Sequence, residues 1–75
     1  MGSLPQISGR EMVRVLERQG FIVAKQRGSH IKLIKIDAEV TMTVIVPDHK
    51  IVKPGTLRSI CKQIKIDPHS LRSLL

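Results

Sequence analysis

One imidazole among three cations is the chemistry-bearing feature of this 75-residue chain: His30 with Lys25, Arg27 and Lys32. An imidazole ordinarily titrates at about pH 6.5, so it can take or give a proton near neutrality. Cationic side chains beside it can hold charge that develops on phosphoryl oxygens. What must position them is the stretch Arg27-Gly28-Ser29-His30, which lies between two β-type runs, Phe21 to Gln26 and Ile31 to Ile36. Glycine at the first central position of a two-residue loop is what a type II′ hairpin turn requires. With Gly28-Ser29 as that turn, Arg27 faces His30, Lys25 faces Lys32, Val23 faces Ile34 and Phe21 faces Ile36. Alternation then places Lys25, Arg27, His30 and Lys32 on one face and Ile22, Ala24, Ile31 and Leu33 on the other.

A third strand, Val40 to Val46, follows the polar connection Asp37-Ala38-Glu39. Setting Lys32 opposite Ile45 and Ile34 opposite Thr43 sends Val40, Met42, Val44 and Val46 to the core face. Thr41, Thr43 and Ile45 then join His30, and a slip of one residue would bury the threonines instead. Pro47 ends the strand. Before the hairpin, Ser8-Gly9-Arg10-Glu11 fits a capping box, with Ile7 and Met12 placed to staple the helix start. Met12, Val13 and Leu16 recur at helical spacing, and Gly20 closes that helix with Phe21 folding back. Arg10, Arg14 and Arg18 form a basic stripe that serves equally as a solvated face or a nucleic-acid face. After the loop Asp48-His49-Lys50-Ile51-Val52-Lys53, Pro54 opens a second helix with Leu57, Ile60, Cys61 and Ile64 as its apolar stripe. Asp67-Pro68 starts a short third helix through Leu71, Leu74 and Leu75.

The fold class expected is α+β: a two-layer α-β-β-β-α sandwich with a short extra C-terminal helix, one domain over residues 1–75 with a lead segment at 1–7. Two helices can cover one face of a three-stranded sheet, so the face carrying His30 is left open. A chain this short has a marginal core. Its 13 Lys and Arg against 6 Asp and Glu give +7, which points to a polyanionic partner, most simply nucleic acid. With Phe21 as the sole aromatic residue, recognition by stacking successive bases is not expected, and backbone or shape recognition stays open. A single cysteine, Cys61, excludes an internal disulfide and a Cys-rich zinc site. No apolar run reaches membrane-spanning length and no secretory signal is visible, so a cytoplasmic protein is expected. Met1-Gly2 does not continue as a myristoylation signal, because Gln6 stands where Ser or Thr is needed. Met1-Gly2-Ser3 is of the kind an expression vector leaves.

The α-β-β-β-α order is shared with double-stranded RNA-binding domains. A closer resemblance lies in the residues Ser8-Gly9-Arg10-Glu11, Gln19-Gly20-Phe21, Arg27-Gly28-Ser29-His30 and Lys53-Pro54-Gly55-Thr56-Leu57-Arg58-Ser59-Ile60. In order and spacing these blocks resemble the HicA (YcfA-like) toxins, from about Leu4 to the C-terminus. The resemblance implies a fold like that of double-stranded RNA-binding domains, endoribonuclease activity on mRNA, and neutralisation by a HicB-type antitoxin. It implies that His30, in Gly28-Ser29-His30, is the catalytic histidine. The loop Asp48 to Val52 lacks the glycine that family members often carry there, which detaches His49 from any family role.

RNA supplies its own nucleophile, the 2′-hydroxyl, so cleavage requires proton transfer and charge stabilisation but no metal or cofactor. His30 is the expected general acid or base. Lys25, Arg27, Ser29, Lys32, Lys50, Lys53 and Arg58 are the expected RNA contacts, Ser29 being equally well explained as a turn residue. A second proton-transfer group is unassigned, with His49 nearest by loop position. His69 reads as a surface residue, and the three histidines have no metal-ligand spacing. Two other classes compete: an RNA-binding module that never cuts, and an open sheet face whose Ile34, Ile36 and Ile45 serve protein association.

Overall fold

The computed structural model describes residues 4–75, so Met1-Gly2-Ser3 and the readings made on them lie outside the described residues. Helix α1 spans Gly9–Arg18 and begins with the capping box. Ser8 Oγ accepts the Glu11 amide at 3.1 Å, and Glu11 Oε1 accepts the Ser8 amide at 2.9 Å. Ile7 and Met12, the stapling pair, are both fully buried. Gly20 closes the helix at φ 94°, with its amide on the Glu17 carbonyl and the Phe21 amide on the Leu16 carbonyl. That is a Schellman closure, and it turns Phe21 back into the core.

Strands β1 (Ile22–Arg27), β2 (His30–Asp37) and β3 (Val40–Pro47) form one antiparallel sheet in that order. The β2–β3 register is the expected one, with Lys32 opposite Ile45 and Ile34 opposite Thr43. Near the first turn the β1–β2 register is also as expected, with Arg27 opposite His30 and Lys25 opposite Lys32.

Farther from the turn the expected pairing fails. A register shift between Val23 and Lys25 places Val23 opposite Leu33 and Ile22 opposite Ile34. The extra residue, Ala24, makes a β-bulge that exchanges the two faces. Ile22 is therefore 62% exposed rather than in the core, and Ala24 is exposed too. The bulge reconciles two fixed ends: Phe21 is drawn inward by the α1 closure, while the turn holds Lys25 outward. Val40, also expected in the core, is exposed at the far end of β3, beyond the reach of the helices.

Helix α2 spans Pro54–Ile64, and Lys65 closes it in the left-handed conformation at φ 59°. The last element, Pro68–Leu74, is a 3₁₀ helix rather than an α-helix, capped by Asp67 accepting the His69 amide at 3.0 Å. Met12, Val15 and Leu16 of α1, Leu57, Ile60 and Cys61 of α2, and Leu71 bury against Ile31, Leu33, Val44 and Val46. All these strand residues lie on one face, so the helices cover that face and leave the other open.

The β2–β3 turn contains a correctable strain. Ala38 takes φ 56° at the first position of the two-residue loop Ala38-Glu39, a site where glycine carries no Cβ penalty. Ala38→Gly is expected to stabilise the fold by about 0.5–1 kcal/mol after the entropy of glycine in the unfolded chain is offset. Thermal unfolding would show this as a rise of a few degrees, and a lower midpoint would contradict it.

Candidate active site

The site is the turn end of the β1–β2 hairpin on the open face. Gly28 adopts φ 58° while Ser29 stays outside the left-handed region, as a type II′ turn demands. His30 and Arg27 form the first rung, and Lys25 and Lys32 lie one step further along the same face. Together with Ile45 these four side chains line a shallow groove of about 240 Å³. No carboxylate lines it among the described residues. The His30 ring has no hydrogen-bond partner among them, so both nitrogens are free to meet a ligand.

The other expected contacts are dispersed. Ser29 sits in the turn, where its carbonyl accepts the Asp48 amide at 2.6 Å. Lys50 is exposed in the loop after β3, and Lys53 is exposed just before α2. Arg58 lines a different and larger concavity, about 660 Å³, with Leu4, Ile51 and Arg72 among its walls. His49 does not line the His30 groove, and its carbonyl accepts the Gly9 amide at 2.8 Å. His69 is engaged with Asp67, Nδ1 to Oδ1 3.1 Å, on the C-terminal 3₁₀ helix. The basic stripe of α1 is partly committed to the fold: Arg10 pairs with Asp48 at 3.0 Å and Arg18 reaches the Leu74 carbonyl at 3.3 Å.

Cys61 is buried, and that burial, with the negative field of Asp67 second, raises its thiol above the ordinary 9.0. Such a thiol is no nucleophile. Among the described residues no three His, Cys, Asp or Glu side chains gather as a metal site would need. No described helix is long and apolar enough to cross a membrane.

Residues 9–66 match the family model described as the HicA toxin of bacterial toxin-antitoxin. The chain belongs to the HicA toxin family. The match includes α1, the whole sheet with the groove, and α2, and it ends before the 3₁₀ helix. Membership makes the chain the toxin of a toxin–antitoxin pair and implies an antitoxin partner. Comparison with curated proteins and with solved structures gives no match.

Sequence reasoning located the groove residues but missed what stands behind them. Asp48 Oδ2 accepts Arg10 Nη2 at 3.0 Å and Gln26 Nε2 at 3.3 Å, and Gln26 Nε2 also donates to the Gly28 carbonyl at 3.3 Å. The only local signal was a carboxylate directly after Pro47, at the end of the strand paired with His30.

Proposed function

We propose that this HicA-family toxin is an endoribonuclease, an mRNA interferase, with His30 as its general acid or base. The observation that carries the proposal is one imidazole, without a hydrogen-bond partner among the described residues, beside three cations in a single open groove. In the reaction the 2′-oxygen attacks the adjacent phosphorus while the bond from phosphorus to the 5′-oxygen breaks. Neutral His30 accepts the 2′ proton, or its protonated form supplies the proton that the departing 5′-oxygen needs. Lys25, Arg27 and Lys32 meet the charge on the phosphoryl oxygens. Lys50, Lys53 and Arg58 lie outside this groove and would contact RNA flanking the cut.

A HicB-type antitoxin neutralises the toxin in the cytoplasm by covering the open face. That face offers cations around Ile45 at one end and Ile22, Ile34 and Ile36 toward the other, which suits a partner that is acidic and partly apolar. A second reading is a non-catalytic RNA-binding module, favoured by the presence of one imidazole in the groove where acid–base cleavage commonly uses two groups.

The deciding experiment incubates the protein in excess EDTA with a long single-stranded RNA and with the same strand in all-deoxy form. Cutting of the RNA alone, leaving 2′,3′-cyclic phosphate and 5′-hydroxyl ends, is expected. Salt-sensitive binding without cutting would favour the RNA-binding module, and absence of both would overturn the proposal.

A further inference from the structure

We propose that Asp48 is a positioning residue for His30, acting as the centre of a strut that fixes the hairpin turn; this inference rests on the function proposed above. The tip of the turn projects from the fold, and a Cβ at Gly28 would meet nothing within 4 Å. His30 is the first residue after that tip. Its backbone is paired with Arg27 and Pro47, and whatever holds the carbonyls of Gly28 and Ser29 fixes the turn from which it emerges.

Both are held, and both holds converge on Asp48. The Asp48 amide donates to the Ser29 carbonyl at 2.6 Å. Gln26 Nε2 lies 3.3 Å from the Gly28 carbonyl and 3.3 Å from Asp48 Oδ2, so the carboxylate orients the amide that grips the turn. Arg10 Nη2 anchors the same oxygen at 3.0 Å and ties the assembly to α1, where the Gly9 amide bonds the neighbouring His49 carbonyl. The Arg10 side chain is 61% exposed and that of Asp48 27%, so this ion pair adds little to overall stability. Its geometric effect is larger, because misplacing a catalytic group by about 1 Å can cost on the order of 100-fold in rate.

The test compares the wild type with Asp48→Ala, Asp48→Asn and His30→Ala in RNA cleavage, and follows the His30 ring signals of the folded proteins by NMR. Asp48→Ala is expected to lower kcat by about 10–100-fold with KM for RNA nearly unchanged, and to broaden or average the His30 ring signals. Asp48→Asn keeps an acceptor oxygen and should restore most of kcat. A purely electrostatic role would instead make Ala and Asn alike, both with lower KM, and that result would overturn the proposal. So would sharp, unshifted His30 signals in Asp48→Ala, whatever the activity. If His30→Ala is inactive but Asp48→Ala cuts like the wild type, the strut alone fails. If His30→Ala cuts like the wild type, the assignment of His30 fails first and the strut with it.

Discussion

Alanine in place of His30 is expected to reduce RNA cleavage by about 10²–10⁴-fold, the usual range for losing a positioned proton-transfer group. The fold should scarcely notice. His30 is exposed, its ring has no hydrogen-bond partner among the described residues, and its backbone pairing with Pro47 survives the substitution. Surface changes of that kind stay within about 0.5 kcal/mol, or roughly 2–4 °C in a domain of this size. A large loss of activity at constant Tm would therefore report chemistry and not unfolding. Binding should persist, because Lys25, Arg27 and Lys32 still supply the phosphate contacts, and RNA affinity at fixed salt is expected to change by a few-fold at most. His30→Gln sharpens the comparison: it keeps a hydrogen-bonding side chain but cannot shuttle a proton near neutral pH, so it should be as inactive as alanine. Gel-based cleavage with thermal unfolding on the same samples decides the matter. Equal rates for wild type and both variants would remove His30 from the mechanism.

The hairpin end of this site was legible because two local rules agree there. A glycine that can take positive φ set the turn, and period-two alternation put the imidazole and three cations on one side. The same rules failed four residues away. Ile22 and Val23 are both good strand formers, both end up exposed, and nothing local says which should pair with the core residue Leu33. The choice is made by Phe21, which the Gly20 closure pulls into the core, and Ala24 absorbs the mismatch as a bulge. At the C-terminus, Leu71, Leu74 and Leu75 fit helical spacing, yet the segment winds as a 3₁₀ helix with the Ser70 amide on the Asp67 carbonyl. Segments this short gain little from α-helical bonds, and tertiary packing of Leu71 decides their winding. Asp48 was illegible for another reason. Its partner Arg10 is 38 residues away, and only the packed fold brings α1 against the end of β3.

That packing also carries the second large expectation: Gly9→Ala should destabilise the protein by about 2 kcal/mol or more, lowering Tm by roughly 8–16 °C in a domain of this size. Helix propensity alone says the opposite, since alanine in a helix is favoured over glycine by about 1 kcal/mol. Nor does backbone conformation require glycine, because Gly9 is not among the residues with positive φ. The obstacle is space. A Cβ on Gly9 would overlap the Pro47 carbonyl oxygen and lie 3.0 Å from Asp48 Cα, and both are backbone atoms that no rotamer change can move aside. Relief requires α1 to retreat from the end of β3, which would stretch the 2.8 Å bond from the Gly9 amide to the His49 carbonyl. The displaced segment is the one that pairs with His30 through Pro47 and holds Ser29 through Asp48. The folded fraction of Gly9→Ala should accordingly cut RNA more slowly than wild type. Gly55→Ala in the first turn of α2 supplies the contrast, since a Cβ there meets nothing within 4 Å. It should be neutral or stabilising by up to about 1 kcal/mol. Thermal and denaturant unfolding of the two variants side by side tests the point. If both behave alike, close backbone approach is not what reserves position 9 for glycine.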